Sequence, residues 1–313
     1  MTLVGVRARR GQGRRRTLGV AARANRDGLV MVGPTVIIVV AVVVIPVLWN
    51  VVLSFQNLSL LQIHTSGIFG SWTLQNFADV LTDPAFWSSL RTTVIYSVGG
   101  TVGSIALGLV AALALRRKFP GRGLVRAFML LPYVAPVVAV AFVWQMMLNP
   151  QFGVLNIWSQ HLFGLDNPIN FLGQSPWALI TVIAFEIWRY FPFAFLFITA
   201  RLQAVPGDIE EAALVDGATP VQRFWYVVLP QLANVIALLT VLRLIMNFNK
   251  FDDVYLLTGG GAGTDVAAVR VYQLLTGQFD LGGAAAQAMV LAVMMVVFLL
   301  FYLRFFVCKE IDL

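Results

Sequence analysis

Two groups of ionisable side chains stand where the surrounding sequence is almost wholly apolar. Glu186, Arg189 and Tyr190 lie three and four residues apart, and Phe193 follows at the same interval. In a helix that spacing gathers all four on one face. Arg243, Asn247 and Lys250 follow one another at intervals of four and three and form a second single stripe. A carboxylate, cations, an amide and aromatic rings so arranged can hydrogen-bond and stack against a polar solute. The structural alternative is a Glu186–Arg189 ion pair, with Arg243 reaching a partner chain. Covalent chemistry is not indicated. The two histidines, His64 and His161, fall in different connections, and no Ser/His/Asp set, metal-ligand cluster or G-x-x-x-x-G-K-[ST] phosphate loop is present. Gly259-Gly260-Gly261 has no following Lys-Ser/Thr and reads as a turn. The expectation is a chain that is not itself an enzyme and holds no cofactor or metal.

The elements that position these stripes are greasy. The chain is 59% hydrophobic and only 12% charged, about half the charge of a soluble domain. Six apolar runs reach the roughly 20 residues needed to cross a bilayer as helix. They cover Leu29–Phe55, Thr92–Leu115, Val125–Leu148, Trp177–Ala200, Gln231–Asn249 and Gly283–Phe305. Each is far longer than the ~10 residues of a barrel strand. The fold class expected is an all-α polytopic membrane protein with six transmembrane helices.

Charge placement orients them. Arg7, Arg9, Arg10, Arg14, Arg15, Arg16, Arg23 and Arg26 precede the first run, and Arg116, Arg117, Lys118, Arg122 and Arg126 fall in the second-to-third connection. The alternate connections 56–90 and 149–176 hold no Lys or Arg. This asymmetry predicts both termini in the cytoplasm. The basic head is therefore read as topogenic and lipid-facing, with no nucleic-acid partner. The expected organisation is a disordered basic arm over 1–27, a membrane domain over 28–308 and a cytoplasmic tail over 309–313. The single Cys308 excludes a disulfide within the chain. In the outer connection, Asp83-Pro84 reads as a turn or helix start, and Trp72, Phe77, Phe86 and Trp87 are expected to pack on the outer ends of the spans. The small residues 282–286 favour close helix contact, within the chain or across a dimer.

One cytoplasmic connection, 201–230, is more than a linker. Val205-Pro206-Gly207-Asp208 reads as a helix start and Gly217 as its stop. Thr219 then suits an N-cap with Pro220 at the first helical position, and Pro230 opens the next span. Two short helices across a glycine joint need a docking surface, because a helix of about nine residues is unstable alone.

Within that connection Glu211-Ala212-Ala213, three residues, Gly217, nine residues and Val227-Val228-Leu229-Pro230 resemble the EAA loop of ABC importer permeases; only Val for Ile departs from the pattern. Leu131-Pro132-Tyr133-Val134-Ala135-Pro136, Gly153-Val154-Leu155-Asn156, and Asn247-Phe248-Asn249-Lys250-Phe251-Asp252 leading into Leu257-Thr258-Gly259-Gly260-Gly261 resemble the MalF-type carbohydrate branch. The resemblance covers roughly Trp72 to Leu303. It implies a type I (MetI-like) permease in the bacterial inner membrane, forming half of a pore with a second, MalG-like permease. It further implies two ATPase subunits, which bind ATP and Mg, and an extracytoplasmic solute-binding protein. It makes Glu211, Ala212, Ala213, Asp216, Gly217, Leu229 and Pro230 the ATPase-coupling set, and Glu186, Arg189, Tyr190, Phe193, Arg243, Asn247 and Lys250 candidates to line a solute cavity. The cargo implied is a sugar or oligosaccharide. Glycerol 3-phosphate, a glycerophosphodiester or a polyamine is the alternative within the class, and an ion-coupled secondary transporter or membrane enzyme is the alternative outside it.

Overall fold

A computed structural model describes residues 31–62, 70–163, 168–302 and 304. The basic arm, the tail, Cys308 and His64 lie outside the described residues. Among those described, five helices are long and apolar enough to cross a bilayer, and a bent pair supplies a sixth crossing if it is one span. They are α1 (Met31–Ser54), α3 (Pro84–Ala114), the pair α4 (Arg122–Val134) and α5 (Val137–Met147), α7 (Trp177–Ala204), α9 (Pro220–Phe248) and α12 (Leu281–Tyr302). Shorter helices connect them: α2 (Gln75–Thr82), α6 (Val154–Phe163), α8 (Gly207–Val215), α10 (Asp252–Thr258) and α11 (Ala267–Thr276). The one sheet among the described residues is a two-residue ribbon pairing Gln56 with Trp72.

The third run, read from hydropathy as one span, is bent by 95° between α4 and α5. Pro132 and Pro136 cause this. Pro136 has no N–H for the carbonyl of Pro132, and its ring holds Ala135 extended at φ −63°, ψ 142°. The fifth run differs the other way. The second short helix of the connection does not stop at Pro230 but continues unbroken to Phe248. A π-turn over Phe224–Val228 makes this possible, with the Leu229 amide bonding back to the Phe224 carbonyl. The wider turn accommodates a proline ring that would otherwise collide with the carbonyl four residues earlier. Pro46 is entered the same way, through a π-turn at Val40–Val44.

The centre of the bundle is α3 laid along α7, with α9 against both. Their interface buries Ile105, Ala112, Phe195, Ile198, Leu232 and Leu239. Asp83 caps α3 by accepting from the Ala85 amide at 2.8 Å, so that helix begins at Pro84, eight residues before the apolar run. Of the outer aromatics, Phe77 and Phe86 join a core with α11 and α12, whereas Trp72 is 68% exposed. The small residues opening α12 are buried within the chain, where Ala285 meets Leu53 and Leu58. Contact inside the subunit thus accounts for them.

Candidate functional site

The first site is the elbow joining α8 to α9. Asp208 and Glu210 fall in the first turn of α8, where the helix dipole favours carboxylates. The helix ends in a Schellman motif: the Ala218 amide donates to the Ala213 carbonyl at 3.0 Å and the Gly217 amide to Leu214 at 3.1 Å. This closure needs a left-handed residue, and Gly217 has φ +78°. Immediately after it, Thr219 and Gln222 form a reciprocal capping box, with the Thr219 amide donating to Gln222 Oε1 at 2.8 Å. Both helix ends at the joint are thereby satisfied, so the elbow is a defined corner. Leu229 and Pro230 lie inside the continuous α9 rod.

Glu211 and Ala212 face outward on α8 and Ala213 is half-buried, while Asp216 is exposed at the corner. Ile209, Leu214 and Val215 are also exposed, Val215 by 87%. The carboxylate that ties α8 to the bundle is Glu210, not Glu211. Glu210 forms a two-pronged ion pair with Arg116 just beyond α3, one prong being Arg116 Nη1 to Oε2 at 2.8 Å. Sequence reasoning placed Arg116 and Glu210 on the same side of the membrane but had no means of joining residues 94 apart.

The second site is a polar cluster between α3, α4, α7, α9 and α10. Glu186 and Arg243 are fully buried and pair directly; the Glu186–Arg189 pairing considered from spacing is not the one formed. Tyr96 on α3 donates to Glu186 Oε2 at 3.1 Å. The Arg243 guanidinium also sits 4.3 Å from the Tyr190 ring centroid, in cation–π range. Asn247 donates to Thr101 Oγ1 at 3.2 Å. The backbone of Gly100 presses on both stripes: a Cβ there would stand 2.7 Å from Glu186 Cγ and 3.1 Å from Asn247 Nδ2.

Lys250 donates to the Tyr190 hydroxyl and pairs with Asp252 at 3.0 Å and Asp253 at 3.4 Å. Burial alone would lower the Lys250 pKa, but Asp253, the Tyr190 hydroxyl and Asp252 outweigh it and raise the value, so the ammonium stays charged. Arg189 turns away from Glu186 and donates to the carbonyls of Pro132 at 3.4 Å and Ala135 at 3.1 Å, at the bend between α4 and α5. Every cation of the cluster therefore has an acceptor within the chain. Beyond them lies a more open aromatic face. Tyr133 contacts Tyr190 and Phe193 at 5.9 and 6.0 Å between centroids, and Phe193 contacts Phe197 at 4.9 Å. Tyr133 is 36% and Phe197 40% exposed. The seven stripe residues are thus brought together. Tyr96, Thr101, Tyr133 and Asp253 join them without a spacing signal of their own, because isolated hydroxyls and an aspartate in the first turn of a short helix do not stand out in the sequence.

A bundle of membrane-crossing helices with a buried charge cluster between them, and a rigid helical corner running into one of them, defines a polytopic transport-type membrane protein. The family profile "Binding-protein-dependent transport system inner membrane component" matches residues 104–308, and the chain belongs to that family. It is 32% identical over 265 residues to the trehalose/maltose transport system permease protein MalF of Thermococcus litoralis, covering 84% of this chain and 88% of that one. It is 36% identical over 236 residues to the sn-glycerol-3-phosphate transport system permease protein UgpA of Agrobacterium fabrum, covering 74% and 79%. Its fold matches a chain of a bacterial alginate ABC transporter, solved in complex with an alginate pentasaccharide-bound periplasmic protein, with TM-score 0.76 at 24% identity over 90% of this chain and 95% of that one. The chain is an inner-membrane ABC importer permease of the type I, MetI-like fold.

Proposed function

We propose that this permease forms half of the pore of an ATP-driven importer for a neutral sugar or oligosaccharide. A second permease supplies the other half, two separate ATPase subunits bind ATP and Mg, and an extracytoplasmic binding protein delivers the cargo. In this reading both termini and the α8–α9 elbow face the cytoplasm, and the exposed face of α8 around Glu211, Ala212 and Ala213 docks on an ATPase subunit.

The observation that carries the reading is the continuity of α9. The helix that starts at the elbow is the helix that holds Arg243 and Asn247. A displacement of α8 by a closing ATPase therefore reaches the Glu186–Arg243 cluster through one rod, with Gly217 and the capping box keeping the corner from folding. Alternating access follows if that displacement moves α9 against α7.

The cargo class rests on the second site. Tyr133, Phe193 and Phe197 offer stacking faces for sugar rings, and Asn247 retains a buried Oδ1 with no hydrogen-bond partner among the described residues. Arg189, Arg243 and Lys250 already have acceptors, which favours a neutral solute over an anionic one. The likeness to UgpA supports a glycerol 3-phosphate reading as the second choice. Uptake of a labelled neutral disaccharide by the reconstituted importer, competed by unlabelled sugars or glycerol 3-phosphate, decides between them. Competition by sugars alone is expected, and competition by glycerol 3-phosphate alone overturns the sugar assignment.

A further inference from the structure

Beside the elbow, a recess of ≈ 560 Å³ opens between the end of α3, α8 and the first turns of α9. Its walls are of two kinds. Arg116, Arg117 and Arg223 supply three guanidinium groups against the single carboxylate of Glu210, and Leu113, Phe224 and Val228 supply an apolar side. Glu210 is engaged by Arg116. Among the described residues no carboxylate pairs with Arg117 or Arg223, and Arg223 Nε is buried without a hydrogen-bond partner. The recess thus has an excess of positive charge, one donor left unsatisfied, and a greasy wall. Trp225 and Tyr226, exposed by 58% and 79%, follow directly after Phe224. Exposed Trp and Tyr at the end of a span mark the level of the headgroups.

We infer that this recess binds the phosphate-bearing headgroup of an anionic phospholipid from the inner leaflet. The phosphodiester takes hydrogen bonds from Arg117 and Arg223, and the glycerol and upper acyl carbons lie along Leu113, Phe224 and Val228. A free phosphate would use the same guanidinium groups but leave the apolar wall bare. An acidic segment of a partner protein would have no use for a pocket walled on one side by Leu113, Phe224 and Val228. Basic pockets on the cytoplasmic side of membrane helices suit such headgroups. Because the recess is walled by both α8 and α9, an occupied headgroup would brace the elbow at the corner through which α8 drives α9. The inference rests on the proposed function only for the side of the membrane on which the elbow lies.

The test uses the complete importer in lipid nanodiscs carrying trace spin-labelled phosphatidylglycerol or phosphatidylcholine, which reports lipid held at the protein surface without requiring transport. The wild type should hold the anionic label more tightly than the zwitterionic one. The double variant R117Q/R223Q should lose about fivefold of that preference per arginine removed, and R117K/R223K should retain most of it. Arg116 is left intact because it holds Glu210. Retention of the label in excess inorganic phosphate is expected, and its displacement assigns the site to free phosphate and overturns the lipid reading. An equal preference in wild type and R117Q/R223Q overturns it too, as does loss of the ATPase subunit from the double variant with lipid preference unchanged, which would assign the recess to a protein interface. ATPase stimulation by the loaded binding protein, measured in the same preparation, shows separately whether the coupling reading stands.

Discussion

Arg189 donates a hydrogen bond to the carbonyl of Pro132, the one oxygen that loses its helical partner because the residue four positions later is Pro136. A second bond from the same guanidinium reaches Ala135, at the bend itself. A largely buried arginine on α7 therefore satisfies the carbonyls exposed by the break between α4 and α5, where a buried bare carbonyl would be costly. The break and its clamp come as a unit, which explains a buried cation that makes no ion pair with the glutamate three residues before it.

Replacing Arg189 with leucine leaves both carbonyls bare, at a cost of about 1–3 kcal/mol each. The purified importer carrying R189L should unfold at a lower temperature than the wild type in a thermal ramp. An unchanged midpoint would show that other groups satisfy the bend.

The Glu186–Arg243 pair should behave as a unit. Breaking a buried pair by removing one partner costs about 3–5 kcal/mol, whereas an apolar pair of similar volume is tolerated. E186L and R243M alone should each reduce the amount of folded protein in membranes, and E186L/R243M should restore it. Tyr96 loses its acceptor in the double variant, so recovery short of complete is expected. Additive losses in the double variant would contradict the pairing.

Gly100 tests how closely α3 and α7 must approach. G100A places a methyl group against Glu186 Cγ and Asn247 Nδ2, an overpacking worth about 1–3 kcal/mol. Thermal unfolding should report the loss, and uptake should fall further than stability because both stripes are displaced. Wild-type stability and uptake together would contradict this contact.

The elbow depends on the left-handed Gly217. A β-branched residue there costs about 1–2 kcal/mol from backbone strain, and G217V should uncouple ATP hydrolysis from the loaded binding protein. G217N, which tolerates that conformation better, should retain most of the stimulation. T219A removes one arm of the capping box, worth about 0.5–2 kcal/mol, and should give an intermediate defect. Full stimulation in G217V would contradict the rigid-corner account.

Local features are legible in the sequence where neighbouring residues carry them. Asp83-Pro84, Gly217 and Thr219-Pro220 each specify a cap or corner within a few positions, and the structure has all three. Pro230 misleads in the same window, since a proline at the head of an apolar run looks like a start until a π-turn absorbs it. The bend at Pro136 is invisible to averaged hydropathy because a window that runs across both arms stays apolar through the break. The stripes on α7 and α9 are apparent from helical period, but their pairing is not. Glu186 and Arg243 are 57 residues apart, and choosing Arg243 over Arg189 required knowing that Arg189 is already committed to the bend.

The central claim, that α8 delivers the ATPase stroke to α9, is tested most directly by cross-linking from its exposed face. In a C308S background, Glu211→Cys carrying a photoactivatable label should form an adduct with the ATPase subunit in the assembled importer. Trp72→Cys, exposed in the connection at the other end of the helix bundle, should form none. The account predicts that the Glu211 adduct changes in yield between ATP-bound and ATP-free states. No adduct from Glu211, or equal adducts from both positions, would contradict it.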